Sequence, residues 1–272
     1  MRTRTLLAAL LFSVSAAWCQ TQTQVDYQTQ VKNKNYSGPS GVSRTISDKL
    51  ADFASVKDFG ALGNATADDS AAINAALAYA CPIGAKVFLP QGNYGVRSTI
   101  TALNGCEGIE FSGPSDSETY SHGAQIVWRG GADATVFSIY GTSWSRFHDF
   151  TINGNNAAGV GLLFYADTVS PFLRSSQKDL FSHIYIINVL GNPGNCLQVG
   201  RLGHGDDVSQ TTFSDFSIDH CVVGLYQAGG QTVENLYSHN TFGTSITKYS
   251  MQFDEGDVHL ADNMCIGGGP AT

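Results

Sequence analysis

The pattern of apolar and polar residues predicts one helix followed by many short strands. Apolar residues recur at helical spacing over residues 68–80, and the following segment KVFLPQGNYGV predicts two strands around a turn. We expect the helix to cover the first coil of a solenoid, because a stack of strands otherwise exposes its core at the end. The residues that favour a helix start here are Thr66, Asp68, Asp69 and Ser70.

Four downstream segments align without gaps, which indicates a repeated unit. They are FHDFTING from Phe147, FSHIYIIN from Phe181, FSDFSIDH from Phe213 and VENLYSHN from Val233, with starts 34, 32 and 20 residues apart. A second apolar strand follows each segment, at residues 161–164, 196–199, 224–227 and 245–248. We therefore expect coils of about 20 residues, with loop insertions at 166–180 and 201–212, stacked about 4.8 Å apart as parallel sheets.

The N-terminal part of this region resembles the pectate-lyase-like superfamily. The resemblance covers about residues 44–97 and rests on VKDFGALGNATADDSAAINAAL and KVFLPQGNYGV, with Asn64-Ala65 where the superfamily usually has Asp-Gly. The preceding SRTISDKLADFASVKDFGA also resembles the segment that leads into the β-helix of phage tailspikes. The resemblance implies an all-β fold, a right-handed parallel β-helix with a short N-terminal capping helix.

The first 43 residues predict export. Arg2 and Arg4 precede an apolar run and then small residues, which is typical of a signal peptide, here over residues 1–19. Residues 20–43 are rich in Gln, Thr and Asn and predict a polar linker before a β-helix domain over 44–272. We expect a secreted protein, extracellular or periplasmic, without membrane attachment after cleavage. The absence of a predicted second cap leaves open that the domain is C-terminally incomplete.

The composition limits the size of the core, the classes of expected binding partner and the possible disulfides. The chain has 272 residues, 42% of them hydrophobic and only 14% charged, which is enough to bury a large core. With a net charge of −8 and no dense basic run, nucleic acid is not an expected partner. Five cysteines follow residue 19, so one stays unpaired within the chain. We expect a disulfide between Cys81 and Cys106, because it would tie the end of the helix to the first strands.

Alternation along the repeats predicts an apolar inward face and a polar outward face. The expected inward residues are Phe150, Ile152, Ile184, Ile186, Phe216, Ile218 and Leu236. Outward, Asp149, His183 and Asp215 fall in one column, with the two carboxylates roughly 9.6 Å apart. That separation is at the upper end of the range of about 6.5–9.5 Å for inverting glycosidases. His183 would lie between them and orient a water or shift a pKa.

Further outward residues are candidates for catalysis or substrate binding. A second expected catalytic cluster pairs Asp219 with His239. The expected substrate-binding residues are Asn153, Tyr185, Asn235 and Tyr237 on the sheet, and Arg201 and His204 in a loop. The alternative for these positions is structural, because Asp and Asn at strand ends often cap turns and a solvated His often has no role.

The loop RLGHGDD, residues 201–207, invites comparison with polygalacturonases. Its Gly-His-Gly precedes the paired aspartates instead of following them, and the other motifs of that family are missing, so no roles are transferred. Asp206 and Asp207 are weak candidates for a Ca²⁺ site, and a solvated loop is the alternative.

The resemblance and the polar face favour a secreted enzyme that cleaves a polysaccharide by hydrolysis, without a required cofactor. A polysaccharide lyase or epimerase is a second possibility, with Arg174, Lys178 or Arg201 as the base of a lyase and Ca²⁺ as a possible cofactor. A non-catalytic, tailspike-like glycan-binding protein is a third. The predicted assembly is a monomer or a homotrimer.

Overall fold

Short strands dominate the part of the chain that the structure describes. The computed structural model describes residues 52–102, 105–115, 123–166 and 174–266. The predicted signal peptide, the linker, the domain start at residue 44 and residues 267–272 lie outside these ranges. One α-helix, α1 (Ser70–Ala80), lies between two 3₁₀ helices, Val56–Phe59 and Cys81–Ile83.

The strands form three sheets. The first sheet contains β1 (Phe53–Ser55), β2 (Lys86–Phe88), β3 (Gly92–Val96), β5 (Glu110–Ser112), β6 (Ala124–Trp128), β8 (Arg146–Asn153), β11 (Leu180–Val189), β14 (Thr212–Ser214), β15 (Ser217–Cys221), β18 (Asn235–Ser238), β19 (Thr241–Phe242), β21 (Val258–Ala261) and β22 (Met264–Cys265). The second sheet contains β4 (Ile100–Ala102), β7 (Thr135–Tyr140), β9 (Val160–Tyr165), β12 (Asn195–Val199), β16 (Val223–Gln227) and β20 (Tyr249–Phe253). The third sheet contains β10 (Ser176–Gln177), β13 (Asp207–Ser209) and β17 (Gln231–Val233).

Successive coils stack through parallel pairs in all three sheets. Strand β11, for example, pairs in parallel with β8 before it and with β14 and β15 after it. The chain passes from the third sheet through the first to the second, as in β10, β11 and β12, and then repeats that course. This arrangement confirms the predicted parallel β-helix.

Helix α1 covers the first coil, as the sequence predicts. Its apolar residues Ile73, Ala76, Leu77 and Ala80 are at most 1% exposed and belong to the main core. The helix packs against β1, β2 and β4. Asp69 precedes it, and the buried carboxylate of Asp69 accepts hydrogen bonds from the backbone N–H groups of Leu62 (2.7 Å) and Gly63 (3.1 Å).

A column of stacked aromatic rings sets the register of the coils. Phe147, Phe181 and Phe213 pair in the predicted alignment, and their ring centroids are 4.9 Å apart in near-parallel planes. The next ring belongs to Tyr237, 5.1 Å from Phe213. The alignment of the fourth repeat on Val233 is therefore wrong, because Tyr237, and not Val233, pairs with Phe213.

The error has a structural cause. Val233 ends β17 and pairs with Ser209 in the third sheet, and the expected loop insertions contain the β10 and β13 strands of that sheet. Leu236 is consequently half-buried on the outer side of the first sheet and not in the core. The second-sheet strand of the fourth repeat begins at Tyr249 and not at Ser245. The other six residues predicted to point inward are at most 2% exposed.

Two disulfides connect the coils. Cys81 and Cys106 are bonded as predicted, and Cys196 is bonded to Cys221. Cys265 is a free, exposed thiol. No helix within the described ranges has the length and apolar character needed to cross a membrane.

Candidate active site and saccharide-binding surfaces

The predicted column of Asp149, His183 and Asp215 lies on a bend of the first sheet. Each of the three has a left-handed φ between 50° and 62° and follows the position of a stacked aromatic residue by two. His239 lies at the equivalent place in the next coil, with φ of 56°. We call these four residues the Asp/His corner. Asp149 and Asp215 are half-buried, whereas His183 and His239 are exposed, so all four are open to solvent.

His148 adds an imidazole to this corner. Its Nδ1 lies 2.6 Å from Asp149 Oδ2, and its Nε2 lies 3.7 Å from Glu110 Oε1. Lys86 Nζ lies 2.9 Å from Glu110 Oε2, and this hydrogen bond lowers the pKa of Glu110, although burial acts in the opposite direction. A chain of ionisable side chains therefore runs from β2 to Asp149. His148 was not among the site residues predicted from the sequence.

Asp219 does not pair with His239, so this predicted cluster is wrong. Asp219 Oδ1 accepts hydrogen bonds from the backbone N–H groups of His220 and Ser245, both at 2.8 Å. A Cβ at Gly243 would lie 2.4 Å from Asp219 Cγ, so any larger residue there would displace the carboxylate from its present position. His239 instead lies 3.7 Å from Asp262. Asp219 stabilises the loop after β19, a capping role that its residue type also allows.

Asn235 and Tyr237 were predicted to face a substrate, but both are fully buried. Asn235 accepts a hydrogen bond from the Thr211 N–H and donates one to the Val208 carbonyl, both at 3.1 Å. The Tyr237 hydroxyl donates to Gln227 Oε1 at 2.6 Å, and burial raises the pKa of Tyr237 well above its usual value. The shifted register of the fourth repeat explains both errors, since it exchanges the two faces of β18.

The loop that carries the predicted Ca²⁺ ligands is held by an ion pair. Arg201 donates to both carboxylate oxygens of Asp206, at 2.7 and 3.0 Å, and the Asp206 side chain is fully buried. Asp207 accepts a hydrogen bond from the Ser175 hydroxyl, and His204 is exposed. Across the described ranges, no three His, Cys, Asp or Glu side chains come together in a way that could hold a metal ion. The bidentate pairing therefore gives Asp206 a structural role.

The remaining predicted residues lie at separate places. Asn153 and Tyr185 are half-buried on the first sheet, and Asn153 Oδ1 accepts a hydrogen bond from the Asn188 amide at 3.3 Å. Arg174 pairs with Glu107 at 2.9 Å, and Lys178 lies over the ring of Trp144. Whether any of these residues binds a substrate stays a prediction.

An open groove of about 340 Å³ lies on the outer side of the second sheet. We call it the second-sheet groove. Outward residues of β12, β16 and β20 form its floor, because Gln198, Tyr226 and Gln252 pair across these strands. Its lining is Pro193, Asn195, Gln198, Leu202, Val222, Val223, Tyr226, Lys248 and Gln252, and it includes no carboxylate.

Hydrogen bonds orient the polar groups of this groove. Asn195 is 4% exposed, and its amide donates to Gln198 Oε1 at 3.0 Å. The Tyr226 hydroxyl donates to Asp254 Oδ2 at 2.9 Å. Burial, followed by this hydrogen bond, raises the pKa of Tyr226 to about 12, so its hydroxyl keeps its proton at neutral pH. The groove therefore offers amides, a phenol and the Lys248 ammonium to a ligand.

A stack of aromatic and cationic groups continues along the same sheet. Tyr140 and Tyr165 pair between β7 and β9 with ring centroids 5.0 Å apart. The Arg201 guanidinium lies 4.1 Å from the centre of the Tyr165 ring. Such flat surfaces suit the C–H faces of sugar rings, because they combine apolar area with polar edges.

The second-sheet groove was not predicted from the sequence, although the strands β9, β12 and β16 were. The available signal was the alternation within each strand, which places Gln198 and Tyr226 opposite the buried residues Leu197 and Leu225. The same alternation that predicts the polar face of the first strands places both side chains on the outer face of the second strands.

A buried carboxylate lies beneath the bend between the third and first sheets. Asp179 is 2% exposed and accepts hydrogen bonds from the Thr142 hydroxyl and the Ser145 N–H, both at 2.7 Å. Burial raises the pKa of Asp179 to about 7, although both hydrogen bonds act to lower it. The native state therefore binds this proton more tightly than the unfolded chain does, because the carboxyl in the unfolded chain has the ordinary pKa of 3.8.

We expect the stability contribution of Asp179 to be lost as the pH rises. It is fully present below pH 3.8, declines toward pH 7 and is constant above it. Asp179→Asn removes the titration, and the Thr142 hydroxyl can rotate to accept from the new amide. Between pH 5 and pH 8 the free energy of unfolding of the wild-type protein should fall by about 1–3 kcal/mol relative to the variant, measured by urea denaturation. A pH-independent difference between the two proteins would contradict the buried titration.

Comparisons with known proteins agree with the fold. Residues 53–156 match the family described as "Rhamnogalacturonase A/epimerase, pectate lyase-like". The chain is 36% identical over 233 residues to mannuronan C5-epimerase AlgE1 of Azotobacter vinelandii. This match covers 79% of this chain and 15% of AlgE1. The chain is 38% identical over 112 residues to AlgE4 of the same organism, covering 37% of this chain and 19% of AlgE4. The chain thus spans less than a fifth of the length of these relatives.

Solved structures show the same architecture. The A-module of AlgE4 has a TM-score of 0.55 at 18% identity, over 78% of this chain and 56% of the module. ORF18 of Geobacillus virus E2 has a TM-score of 0.58 at 16% identity, over 86% of this chain and 48% of ORF18. At these identities the likeness shows the fold alone. Residues 53–156 thus match the pectate-lyase-like family, and together with the stacked parallel sheets and the capping helix these findings show that the chain has the fold of that superfamily, the right-handed parallel β-helix.

Proposed function

We propose that this protein modifies an acidic polysaccharide, that it holds a uronate polymer in the second-sheet groove, and that it epimerises the uronate residues. The observation that carries the proposal is the composition of the groove, which offers Lys248 and neutral hydrogen-bonding groups without a carboxylate. On a chain with a net charge of −8, the Lys248 ammonium would attract a polyanion to the groove, and the Asp254 carboxylate at its edge is already hydrogen-bonded to the Tyr226 hydroxyl. The names of the relatives, mannuronan C5-epimerases, support this substrate class.

The groove suits proton transfer better than hydrolysis. Hydrolysis of a glycosidic bond generally uses two carboxylates, and none lines the groove. Epimerisation removes the proton from C5 and returns one to the opposite face of the same carbon, so no glycosidic bond breaks. Lys248 would pair with the uronate carboxylate and stabilise the negative charge that develops on it. The C5 proton would pass to the Tyr226 oxygen as this hydroxyl gives its own proton to Asp254 Oδ2, which it contacts at 2.9 Å. A water next to Lys248 would return a proton to the opposite face of C5, and exchange with solvent would then restore both groups.

The test is to incubate the full chain with mannuronan and analyse the products. Proton NMR would show a new epimer if the proposal holds, whereas new reducing ends without unsaturation would indicate hydrolysis. Ultraviolet absorbance of an unsaturated product would indicate a lyase. Binding without any conversion would favour the glycan-binding alternative.

We expect Lys248→Gln and Tyr226→Phe each to lower the rate of epimer formation by about 10²-fold or more. Both substitutions keep most of the side-chain volume at a solvent-accessible site, so thermal stability should not change. Lys57→Gln is the matched control, because it removes the same charge from an exposed lysine in the first 3₁₀ helix. Equal rates for Lys248→Gln and Lys57→Gln would remove Lys248 from the site.

Hydrolysis at the Asp/His corner is the second candidate function. The register that places His183 between Asp149 and Asp215, with His148 2.6 Å from Asp149, favours it. If these carboxylates act as acid and base, Asp149→Asn and Asp215→Asn should each reduce the release of reducing ends by about 10²-fold or more. His239→Ala is the comparison on the same corner, one coil further. Full activity in Asp149→Asn and Asp215→Asn, with wild-type melting behaviour, would exclude this face.

A further inference from the structure

A second corner of the β-helix, between the third and first sheets, carries an exposed tryptophan. Trp144, Lys178, Gln210 and Glu234 occupy equivalent positions in four successive coils, each with a left-handed φ between 54° and 58°. We call them the Trp144 corner. Lys178 Nζ lies 4.6 Å from the centre of the Trp144 ring, and the Gln210 amide donates to Glu234 Oε2 at 2.9 Å.

Neither the backbone nor the core explains a tryptophan at this place. A left-handed φ is disfavoured for a bulky side chain, and glycine or asparagine would adopt it with less strain. Trp144 also gains little from burial, because 64% of it stays exposed even with the Lys178 ammonium over its ring. Sparsely populated backbone conformations cluster at ligand-binding sites, and an exposed indole ring offers such a site a flat apolar face with a polar edge.

The loop that presents Trp144 is rigidly held from below. Its flanking residues Thr142 and Ser145 are at most 1% exposed, and both are hydrogen-bonded to the buried carboxylate of Asp179. The Trp144 N–H donates to the Gln177 carbonyl at 3.3 Å. A buried polar support of this kind orders an exposed side chain before a ligand arrives, which lowers the entropic cost of binding.

We propose that the Trp144 corner is a second saccharide-binding surface, separate from the second-sheet groove, which takes a uronate polymer. The open part of the indole would pack against the C–H face of a sugar ring, and Lys178 would pair with its carboxylate. This inference takes its ligand class from the proposed function. The two ends of the corner differ in charge, because Lys178 would attract the polyanion at one end and Glu234 would repel it at the other.

The spacing of the corner suits an extended chain. Equivalent side chains of successive coils are about 4.8 Å apart, comparable to the length of one pyranose residue. A polymer lying along the corner would therefore meet Trp144, Lys178 and Gln210 in turn. The Gln210 side chain, oriented by its bond to Glu234, would bind the hydroxyls of the neighbouring sugar.

The experiment measures the affinity of the full chain for mannuronan oligosaccharides by isothermal titration calorimetry. Trp144→Asn suits the left-handed backbone and should leave the melting temperature unchanged or raise it. We expect it to weaken binding at the corner about tenfold. Leu62→Ala is the matched control, since it truncates a side chain that is 61% exposed in the turn before α1, and it should bind as the wild type does.

A groove variant separates the two sites. In the double variant Gln198→Ala/Tyr226→Ala, titration with the oligosaccharide should still change the tryptophan fluorescence, and adding Trp144→Asn should abolish that response. Binding that is lost completely in the groove variant, with no fluorescence response, would overturn the inference and leave the proposed function intact. Corner binding in a protein that converts no substrate would support the inference and contradict the proposed function. Failure of the wild type to bind the oligosaccharide would overturn both.

Discussion

The Leu77→Asp variant should be destabilised by about 3–5 kcal/mol, the cost of an uncompensated buried charge. Leu77 is 1% exposed on the face of α1 that packs against the first strands. Within the ranges that the structure describes, no Lys, Arg or His is buried in the core that could pair with the new carboxylate. The carboxylate must therefore stay charged without a partner, take up a proton or pull the helix away from the first coil. Urea denaturation at neutral pH measures the change.

The matched control is Ala75→Asp, which places the same charge on the exposed face of the same helix. It carries only the lower helix propensity of Asp and should cost less than about 1 kcal/mol. Equal losses in both variants would point to helix propensity alone. Wild-type stability in Leu77→Asp would show that α1 does not cover the core.

The helix and the first coils could be predicted because their signals are local. The apolar residues of α1 lie three or four positions apart, and the same residues are buried. The segments from Phe147, Phe181 and Phe213 contain an aromatic residue at the same place, and these residues stack. Pairing Cys81 with Cys106 needed only the idea that the helix end lies near the early strands.

The fourth repeat could not be placed in this way because two alignments satisfy the same alternation. Both Val233 and Tyr237 begin an alternating segment, and only the stacking of Tyr237 on Phe213 decides between them. The choice moves every later residue of the strand to the other face, as Asn235 and Leu236 show. The misalignment arose because the assumed coil contained no third-sheet strand, whereas Val233 belongs to β17 of that sheet.

The candidate sites could not be predicted from the sequence, because they depend on contacts between residues of different coils. Gln198 and Tyr226 become neighbours only because β12 pairs with β16, and Arg201 reaches Tyr165 from a loop beyond β12. In the sequence, Arg201 and Asp206 looked like solvated loop residues, whereas the folded loop buries the Asp206 carboxylate beneath the guanidinium. Residue types identify the polar groups, but only the stacking of coils separates those with structural hydrogen bonds from those that are accessible to a ligand.

Phe181→Ala should destabilise the protein by about 3–5 kcal/mol, the usual cost of removing a buried phenyl ring when the site cannot collapse. Phe181 is fully buried, and three rings surround it at centroid distances of 4.9 Å, those of Phe147, Phe213 and Phe164. The parallel sheets fix the distance between coils, so the neighbouring rings cannot move together to fill the cavity.

Phe53→Ala is the matched control for the stacked column. Phe53 is 44% exposed on β1, where its ring contacts Phe88 at a centroid distance of 5.7 Å, so the same truncation removes much less buried surface. We expect its cost to stay below about 1 kcal/mol, as is usual for surface positions. Both values follow from guanidinium denaturation of the oxidised protein, with the disulfides intact in every variant. A Phe181→Ala cost as small as that of Phe53→Ala would mean that the coils are not held in register by the aromatic column, and the alignment of Tyr237 with Phe213 would lose its main physical support.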